Sequence, residues 1–476
     1  MNFKQPIKTL FICFLSLTIS LAFADEKDPK WAKKVGSAKL KFKKKEFVAN
    51  DFGANPDGLT LTSEAIQKAI DACAEQGGGI VVLKPGKYLT GSLFIKSKVK
   101  FKIDEGVELL GSQNIKDYPI IDTRIAGMEM KWPAALLNII DQKNAAIEGK
   151  GLINAQGKVF WELYWSMRKE YEAKALRWIV DYDAQRPRTV LVQNGENIQL
   201  KDFNIRQAGF WSVQVLYSKY VTVDGLVIRN NIDGKGPSTD GVDIDSSSWI
   251  LVQNCDIDCN DDNFCLKAGR DWDGLRVNRP TEYVVIKDCI ARKGSGLITL
   301  GSETSGTIKH VLVKNLTGLG TSNGINMKSA LTRGGGLEDI YIKNLRMDSV
   351  STAFQIGKNW NPSYSYSTLP KEYEYDKVPV HWQKMLNKVE PAEKGIPVFK
   401  DVYISNIRGV GIKRAFNIAG LDGSPIVNFT LNNLDLEVET AGNISFARDW
   451  IIKDVTIISK DKSTVDVKNS TGVKLD

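Results

Sequence analysis

One short unit recurs along most of this chain and restricts its fold more than any other feature. It is a strand-like run with apolar residues at alternate positions, closed by Asn or Asp. It reads Ile198-Gln199-Leu200-Lys201-Asp202, Val221-Thr222-Val223-Asp224 and Ile250-Leu251-Val252-Gln253-Asn254. It returns as Val284 to Asp288, Val311 to Asn315, Ile340 to Asn344, Val402 to Asn406 and Phe429 to Asn433. Successive units lie mostly about 20 to 35 residues apart, the range of solenoid repeats. A unit this short cannot bury its apolar side alone, so the units must stack into one continuous core. Asn or Asp at the strand end bonds the turn backbone and tolerates the left-handed conformation. Stacking would set these residues above one another. The expected architecture is all-β, a right-handed parallel β-helix. A β-propeller is the competing repeat fold, but its four-stranded units would be longer and more regular.

Length alone, 476 residues, suggests two or three domains, but a solenoid holds it in one, over residues 46–476. The composition, 25% charged and 42% hydrophobic, suits a large core. Residues 46–112 form a capping part. There Thr62-Ser63-Glu64 precedes Ala65, Ile66, Ala69, Ile70 and Cys73 at helical spacing, and Gly77-Gly78-Gly79 ends the run. This predicts a capped amphipathic helix. Strands follow at Ile80 to Leu83 and Leu93 to Ile95. Such a helix can cover the open end of a stacked sheet, an edge that otherwise invites aggregation. The repeat breaks most widely over residues 358–397, an aromatic stretch with Trp360, Tyr364, Tyr366, Tyr373, Tyr375 and Trp382. A long insertion in a compact fold is usually functional; the plainer reading is a packed surface flap.

Residues 1–24 read as a secretory signal. Lys4 and Lys8 form a basic start, Leu10 to Ala22 an apolar run, and Ala22-Phe23-Ala24 a small-x-small cleavage site before Asp25. The expected location is secreted or periplasmic, with no membrane span in the mature chain. Removing Lys4 and Lys8 takes the formal charge from +8 to +6. That balance suits an acidic partner such as a polyuronate, or simple solubility. Much of the excess sits in a basic N-terminal segment, residues 25–45. No basic-aromatic pattern points to nucleic acid. Five cysteines remain after cleavage: Cys73, Cys255, Cys259, Cys265 and Cys289. An odd number leaves at least one free thiol; they are expected as buried packing residues, with room for one bridge. The two histidines, His310 and His381, lie away from any cysteine pair at ligand spacing, so no zinc site is expected. A monomer is expected.

The chemistry concentrates in Ser238-Thr239-Asp240-Gly241-Val242-Asp243-Ile244-Asp245, followed one coil later by Asn260-Asp261-Asp262. On a β-helix, one coil apart means adjacent rungs about 5 Å apart. Asp240, Asp261 and Asp262 would then converge, and their mutual repulsion raises at least one pKa. A general acid beside a general base is what glycoside hydrolysis needs. Acidic residues at turns are common, however, and the same carboxylates could hold calcium.

These motifs resemble glycoside hydrolase family 28, the polygalacturonases and their relatives, over residues 51–112 and 194–344. The family's Asn-Thr-Asp-Gly stands here as Ser238-Thr239-Asp240-Gly241, and its paired aspartates as Asp261-Asp262, followed by Leu266-Lys267-Ala268-Gly269-Arg270-Asp271. Gly301-Ser302-Glu303-Thr304-Ser305-Gly306 is also family-like. The resemblance implies an inverting hydrolase of α-galacturonosidic bonds in pectin, with no metal or other cofactor. Asp261 would protonate the leaving oxygen, and Asp240 and Asp262 would activate water. Lys267, Arg270, Ser295, Asn326 and Lys328 would bind the pectic substrate.

Two departures bear on specificity. Polygalacturonases carry Gly-His-Gly where this chain has Gly294-Ser295-Gly296, and Arg-Ile-Lys where it has Asn326-Met327-Lys328. Loss of the arginine suits a leaving sugar without a carboxylate, which points to galacturonate–rhamnose linkages. An exo-polygalacturonase, a calcium-dependent β-helix lyase using Lys267, Lys328, Arg270 or Arg333, and a non-catalytic glycan-binding β-helix are the alternatives.

Overall fold

The computed structural model describes residues 27–475; the expected secretory signal lies outside them. The repeated unit supplies one of three parallel strands per coil. One coil contributes Val213–Leu216, Lys219–Asp224 and Val227–Arg229, and the next contributes Val242–Asp245, Ser248–Gln253 and Asp256–Asp258. Each strand pairs in parallel with its equivalent one coil on. The chain is therefore a parallel β-helix. On the first face the register runs Val190, Val213, Val242, Phe264, Ile298, Ile325, Phe354, all buried. On the second it runs Ile198, Val221, Ile250, Val284, Val311, Ile340, Val402, Phe429, also buried. Apolar side chains of equal register thus stack into the core, which supplies the main favourable term for folding.

The turn after the second strand carries the expected ladder. Asn254, Asp288, Asn315, Asn344, Asn406 and Asn433 all have φ between 55° and 58°. Asn315 Nδ2 donates to Asp288 Oδ1 (2.8 Å), Asn344 to Asn315 (3.1 Å), Asn406 to Asn344 (3.0 Å) and Asn433 to Asn406 (2.7 Å). One unit differs from expectation. Asp224 yields the left-handed position to Gly225 (φ 71°) and accepts from Asn254 instead (2.7 Å).

The capping helix is α1, Ser63–Glu75, and it buries Ile66, Ala69, Ile70 and Cys73. Its expected side-chain cap does not form. Thr62 Oγ1 instead accepts from the Asn55 N–H (3.1 Å), and Ser63 Oγ from the Gly91 N–H (2.7 Å), so both hydroxyls tie the helix to neighbouring loops. The cysteines are five free, buried thiols, with no bridge among the described residues.

Residues 27–45 form a strap across the second face. Asp28 pairs with Lys314 (2.6 Å) and Lys343 (2.9 Å), Trp31 packs on Tyr283, and the Gly36 N–H donates to the Trp249 carbonyl (2.9 Å). Ser37 N–H reaches Thr222, and Ala38 N–H reaches Asn197. The strap explains why runs such as Val284-Val285-Ile286 and Val311-Leu312-Val313 lack alternation: Val285 and Leu312 point outward, yet they are buried. A strand covered on both sides reads as continuously apolar.

Three insertions rise over the first face. They are the antiparallel hairpin Ile120–Ile125 with Met128–Pro133, the helices Lys158–Ala173 and Val180–Asp183, and the aromatic stretch with helices Pro362–Ser365 and Val380–Leu386. They share a second apolar core. Ile125, Met128 and Trp132 meet Trp178, Ile179 and Tyr182, and these meet Trp382 and Met385, with Phe210 and Trp211 beneath.

The ladder yields a stability test. Asn344→Ala forces alanine into the left-handed region and removes two ladder bonds, at a combined cost of about 2 kcal/mol. Urea denaturation should show the loss, and Asn344→Gly should lose less, because glycine adopts this φ freely. An unchanged midpoint for the alanine variant would mean that the ladder is decorative.

Candidate active site

Period-two alternation decides what the first face shows. Because Val242, Phe264, Ile298 and Ile325 point inward, their neighbours Asp243, Cys265, Thr299 and Asn326 point outward in one column. Asp245 and Lys267 stand in the next column. Asp240 and the Asp261-Asp262 pair lie on the turns that enter two successive strands. Those turns are also stacked: Ser212 N–H donates to the Asp240 carbonyl and Gly241 N–H to the Asp262 carbonyl, each at 2.9 Å. Gly296 enters the following coil. A Cβ there would sit 2.2 Å from Thr299 Oγ1 and 3.2 Å from Asp262 Oδ1, so the Thr299 hydroxyl, bonded to Asp262, leaves no room for a side chain.

The result is a cleft of about 80 Å³. Its floor holds Asp240, Asp261, Asp262, Lys267, Glu303 and Lys328. Its walls hold Ala126 of the hairpin, Arg177 and Asp181 of the helical insertion, Trp360 and Tyr364 of the aromatic insertion, and Trp211. Lys328 Nζ donates to Asp262 Oδ2 (2.8 Å), and Thr299 Oγ1 to Asp262 Oδ1 (2.7 Å). Lys267 Nζ lies 3.7 Å from Asp240, 3.6 Å from Asp243 and 3.5 Å from Glu303. The ammonium groups also face rings, Lys328 over Trp360 (4.4 Å) and Lys267 over Trp211 (5.0 Å).

Five carboxyl groups share two ammonium groups, and they do not share them equally. Burial raises Asp262, but Lys328 and then Lys267 outweigh it and hold this carboxyl below its usual range. Glu303 is held at about 2, with Lys267 and nearby arginines outweighing burial. Asp261 is pushed up by burial and then by the charge of Asp262. Asp240 is pushed well up by burial and then by Asp243 and Asp261, while Asp243, fully buried, rises to about 8 through burial against the pull of Lys267. Adjacent residues therefore differ: Asp261 holds its proton to higher pH than Asp262. That is the split an acid–base pair requires.

Asp240, Asp262 and Cys265 also bring three possible metal-ligand atoms within 4.8 Å of one another. The donor set does not fit a cation. Lys328 already neutralises Asp262, Lys267 lies beside Asp240, and burial pushes the Cys265 thiol up, so it stays protonated.

The residues expected to bind substrate divide. Lys267 and Lys328 line the cleft; Arg270, Ser295 and Asn326 do not. Ser295 donates its N–H to the Asp261 carbonyl (2.8 Å), and Asn326 lies buried beside Thr299 on the next coil (3.4 Å). Arg270 is fully buried and joins the walls. It donates to Tyr182 Oη (2.8 Å) and to the carbonyls of Tyr364 (2.8 Å) and Ser365 (3.2 Å), and it pairs with Asp271. Sequence reasoning missed Arg177, Asp181 and Trp211, which come from insertions or irregular turns without a motif. Glu303 lies in the family-like string Gly301 to Gly306, where no spacing marks it as part of the cleft.

A walled cleft with split carboxyls on a parallel β-helix defines a carbohydrate-cleaving class of solenoid, the β-helix glycoside hydrolases. The chain belongs to glycosyl hydrolases family 28, whose model matches residues 78–373. It is 25% identical to a probable polygalacturonase of Vitis vinifera, over 86% of this chain and 77% of that protein. It is 28% identical to an exo-poly-alpha-D-galacturonosidase of Dickeya chrysanthemi, over 80% and 70%. Among solved structures, a hyperthermoactive exopolygalacturonase from Thermotoga maritima shares the fold with a TM-score of 0.71 at 22% identity, over 90% of this chain and 96% of that one.

Arg270 provides the test of the walls. Arg270→Met strands the carbonyls of Tyr364 and Ser365 and removes one of the two arginines on Asp271, which keeps Arg333, at a cost of about 1–3 kcal/mol. Limited proteolysis should then cut within residues 358–397 much faster than in the wild type. An unchanged cleavage rate would show that the insertion is held by its apolar core alone.

Proposed function

We propose that this chain hydrolyses α-galacturonosidic bonds of pectin from chain ends, after export ahead of Asp25. The observation that carries the reading is the second apolar core. Three insertions meet over the face bearing Asp240, and they wall the cleft with Ala126, Arg177, Asp181, Trp360 and Tyr364. An open groove would suit internal cleavage; a walled pocket suits a terminal residue. The Dickeya relative and the Thermotoga neighbour, both named as exo-acting enzymes, support this reading.

Asp261 is the proton donor, since it holds its proton to higher pH than Asp262 and is the most accessible of the three aspartates. Asp262, held ionised by Lys328, is the base that draws a proton from water. Asp240, across from Lys267, orients that water. Direct attack by water inverts the anomeric carbon. Asp261→Asn should lower turnover by about 100- to 10,000-fold without unfolding the protein. A folded variant with near-normal turnover would refute the assignment. Proton NMR of fresh product should show β-galacturonate first, and chelators should leave the rate unchanged. An α-anomer, or loss of activity with chelator, would point elsewhere, the latter to a calcium lyase.

The pH profile follows from the split. Activity requires Asp262 ionised and Asp261 protonated, so kcat/KM should be bell-shaped. Lys328 favours the charged form of Asp262, so Lys328→Met should raise that pKa and move the acidic limb to higher pH. An unmoved acidic limb would remove Asp262 from the base role.

A second reading concerns the sugar on the leaving side. Each cation of the cleft already faces a carboxylate: Lys328 faces Asp262, Arg177 faces Asp181 (2.6 Å), and Lys267 faces Glu303. With Asn326 in the place of the family's arginine, a carboxylate on the leaving-side sugar lacks that arginine as a partner. That favours galacturonate–rhamnose linkages over galacturonate–galacturonate. Matched oligosaccharides of both kinds should differ in kcat/KM by roughly tenfold or more. Equal rates would leave exo-polygalacturonase as the better description. In either case monomeric galacturonate should appear from the first time point with little fall in polymer viscosity; rapid thinning would mean internal cleavage.

A further inference from the structure

The mechanism makes no use of the strap over residues 27–45. This stretch has nine lysines and one acid, Asp28, a net charge of +8, against +6 for the chain once residues 1–24 are removed. The remainder of that chain sums to −2, so the excess positive charge is concentrated on one element. Asp28 turns inward to Lys314 and Lys343, so it neutralises none of the strap's own lysines. All nine lysines are exposed. Exposure alternates where the strap nears the cap: Leu40 and Phe42 are half-buried, while Lys39, Lys41 and Lys43 face solvent. Lys43 and Lys45 donate to Gln76 at the C-terminal end of α1. Lys33, Lys34, Lys39, Lys41 and Lys44 have no ion pair among the described residues.

The strap is held in place by the contacts to Tyr283, Trp249, Thr222 and Asn197 on the second face, whereas the cleft opens on the first. A row of unpaired ammonium groups on a rigid support attracts a linear polyanion and raises its local concentration. We propose that the strap is a second binding surface, distinct from the cleft, that holds the polyuronate chain while its end is processed. The choice of polyuronate rests on the functional reading above, since the substrate polymer is itself a chain of carboxylates. Two attachment points on one polymer reinforce each other without any new contact in the cleft.

The test uses the full-length protein and a variant carrying Lys33→Gln, Lys34→Gln, Lys39→Gln, Lys41→Gln and Lys44→Gln. The anchoring residues are left intact. Retention on immobilised polygalacturonate should fall tenfold or more at an ionic strength where the Debye length is about 10 Å. The difference should vanish at about 1 M salt. Turnover of a short galacturonate oligosaccharide should be unchanged, while turnover of polymer at low salt should fall. Unchanged retention would overturn the proposal. So would an equal loss on the oligosaccharide, which would make the strap purely structural. Tighter wild-type binding to duplex DNA or to anionic lipid vesicles than to polygalacturonate would also overturn it. The two readings fail separately: lysine-dependent retention without hydrolysis of any pectic substrate refutes the function, and hydrolysis without lysine-dependent retention refutes the strap.

Discussion

The parallel register of the first face is the constraint from which the site follows. Val242 pairs with Phe264, Phe264 with Ile298, and Ile298 with Ile325, each pair one coil apart. A slip of one residue would turn Asp243, Thr299 and Asn326 into the core and expose the apolar row. The core therefore pays for the placement of the polar groups. The same stacking sets Gly241 against Asp262, so the turn bearing Asp240 and the turn bearing Asp261-Asp262 are joined by a backbone hydrogen bond. Residues some twenty positions apart in the chain become neighbours without any dedicated scaffold.

On that frame, charge balance does the chemical sorting. Lys328 sits on Asp262, and Lys267 sits among Asp240, Asp243 and Glu303. With Glu303 held at about 2 and Asp262 below its usual range, both ammonium charges are matched. A further negative charge in so buried a site has no partner, so Asp240, Asp243 and Asp261 are pushed upward. Arg270 links hairpin, helical insertion and aromatic insertion at a single buried point, and so governs how closed the cleft is.

What could be read in advance depended on whether a residue obeys a period. The ladder from Asn254 to Asn433 and the helix at Ser63–Glu75 follow periodicities of turn and helix, and both stand where expected. Asp224 misled by one position, because glycine at 225 takes the left-handed site more cheaply. Asp240, Asp261 and Asp262 could be placed together because one coil separates them. Arg177, Asp181 and Trp211 could not, because no repeat governs insertions and their positions depend on the second apolar core. Arg270 and Asn326 sit at motif positions, yet Arg270 is buried in the walls and Asn326 is covered beside Thr299. A motif marks a position in the chain; it does not say which way a side chain faces once its neighbours are in place. The basic stretch at residues 25–45 is plain from composition, but its path over the second face follows no repeat and shows only in the structure.

The central claim is that two adjacent carboxyls, Asp261 and Asp262, are held in opposite protonation states. Carbon-13 NMR titration of aspartate side chains, assigned with single Asn variants at each position, measures this directly. The account predicts that Asp262 titrates below the usual aspartate range and Asp261 above it, with the gap narrowing when Lys328 is replaced by Met. Two carboxyls titrating together near the ordinary value, or Asp262 above Asp261, would contradict it.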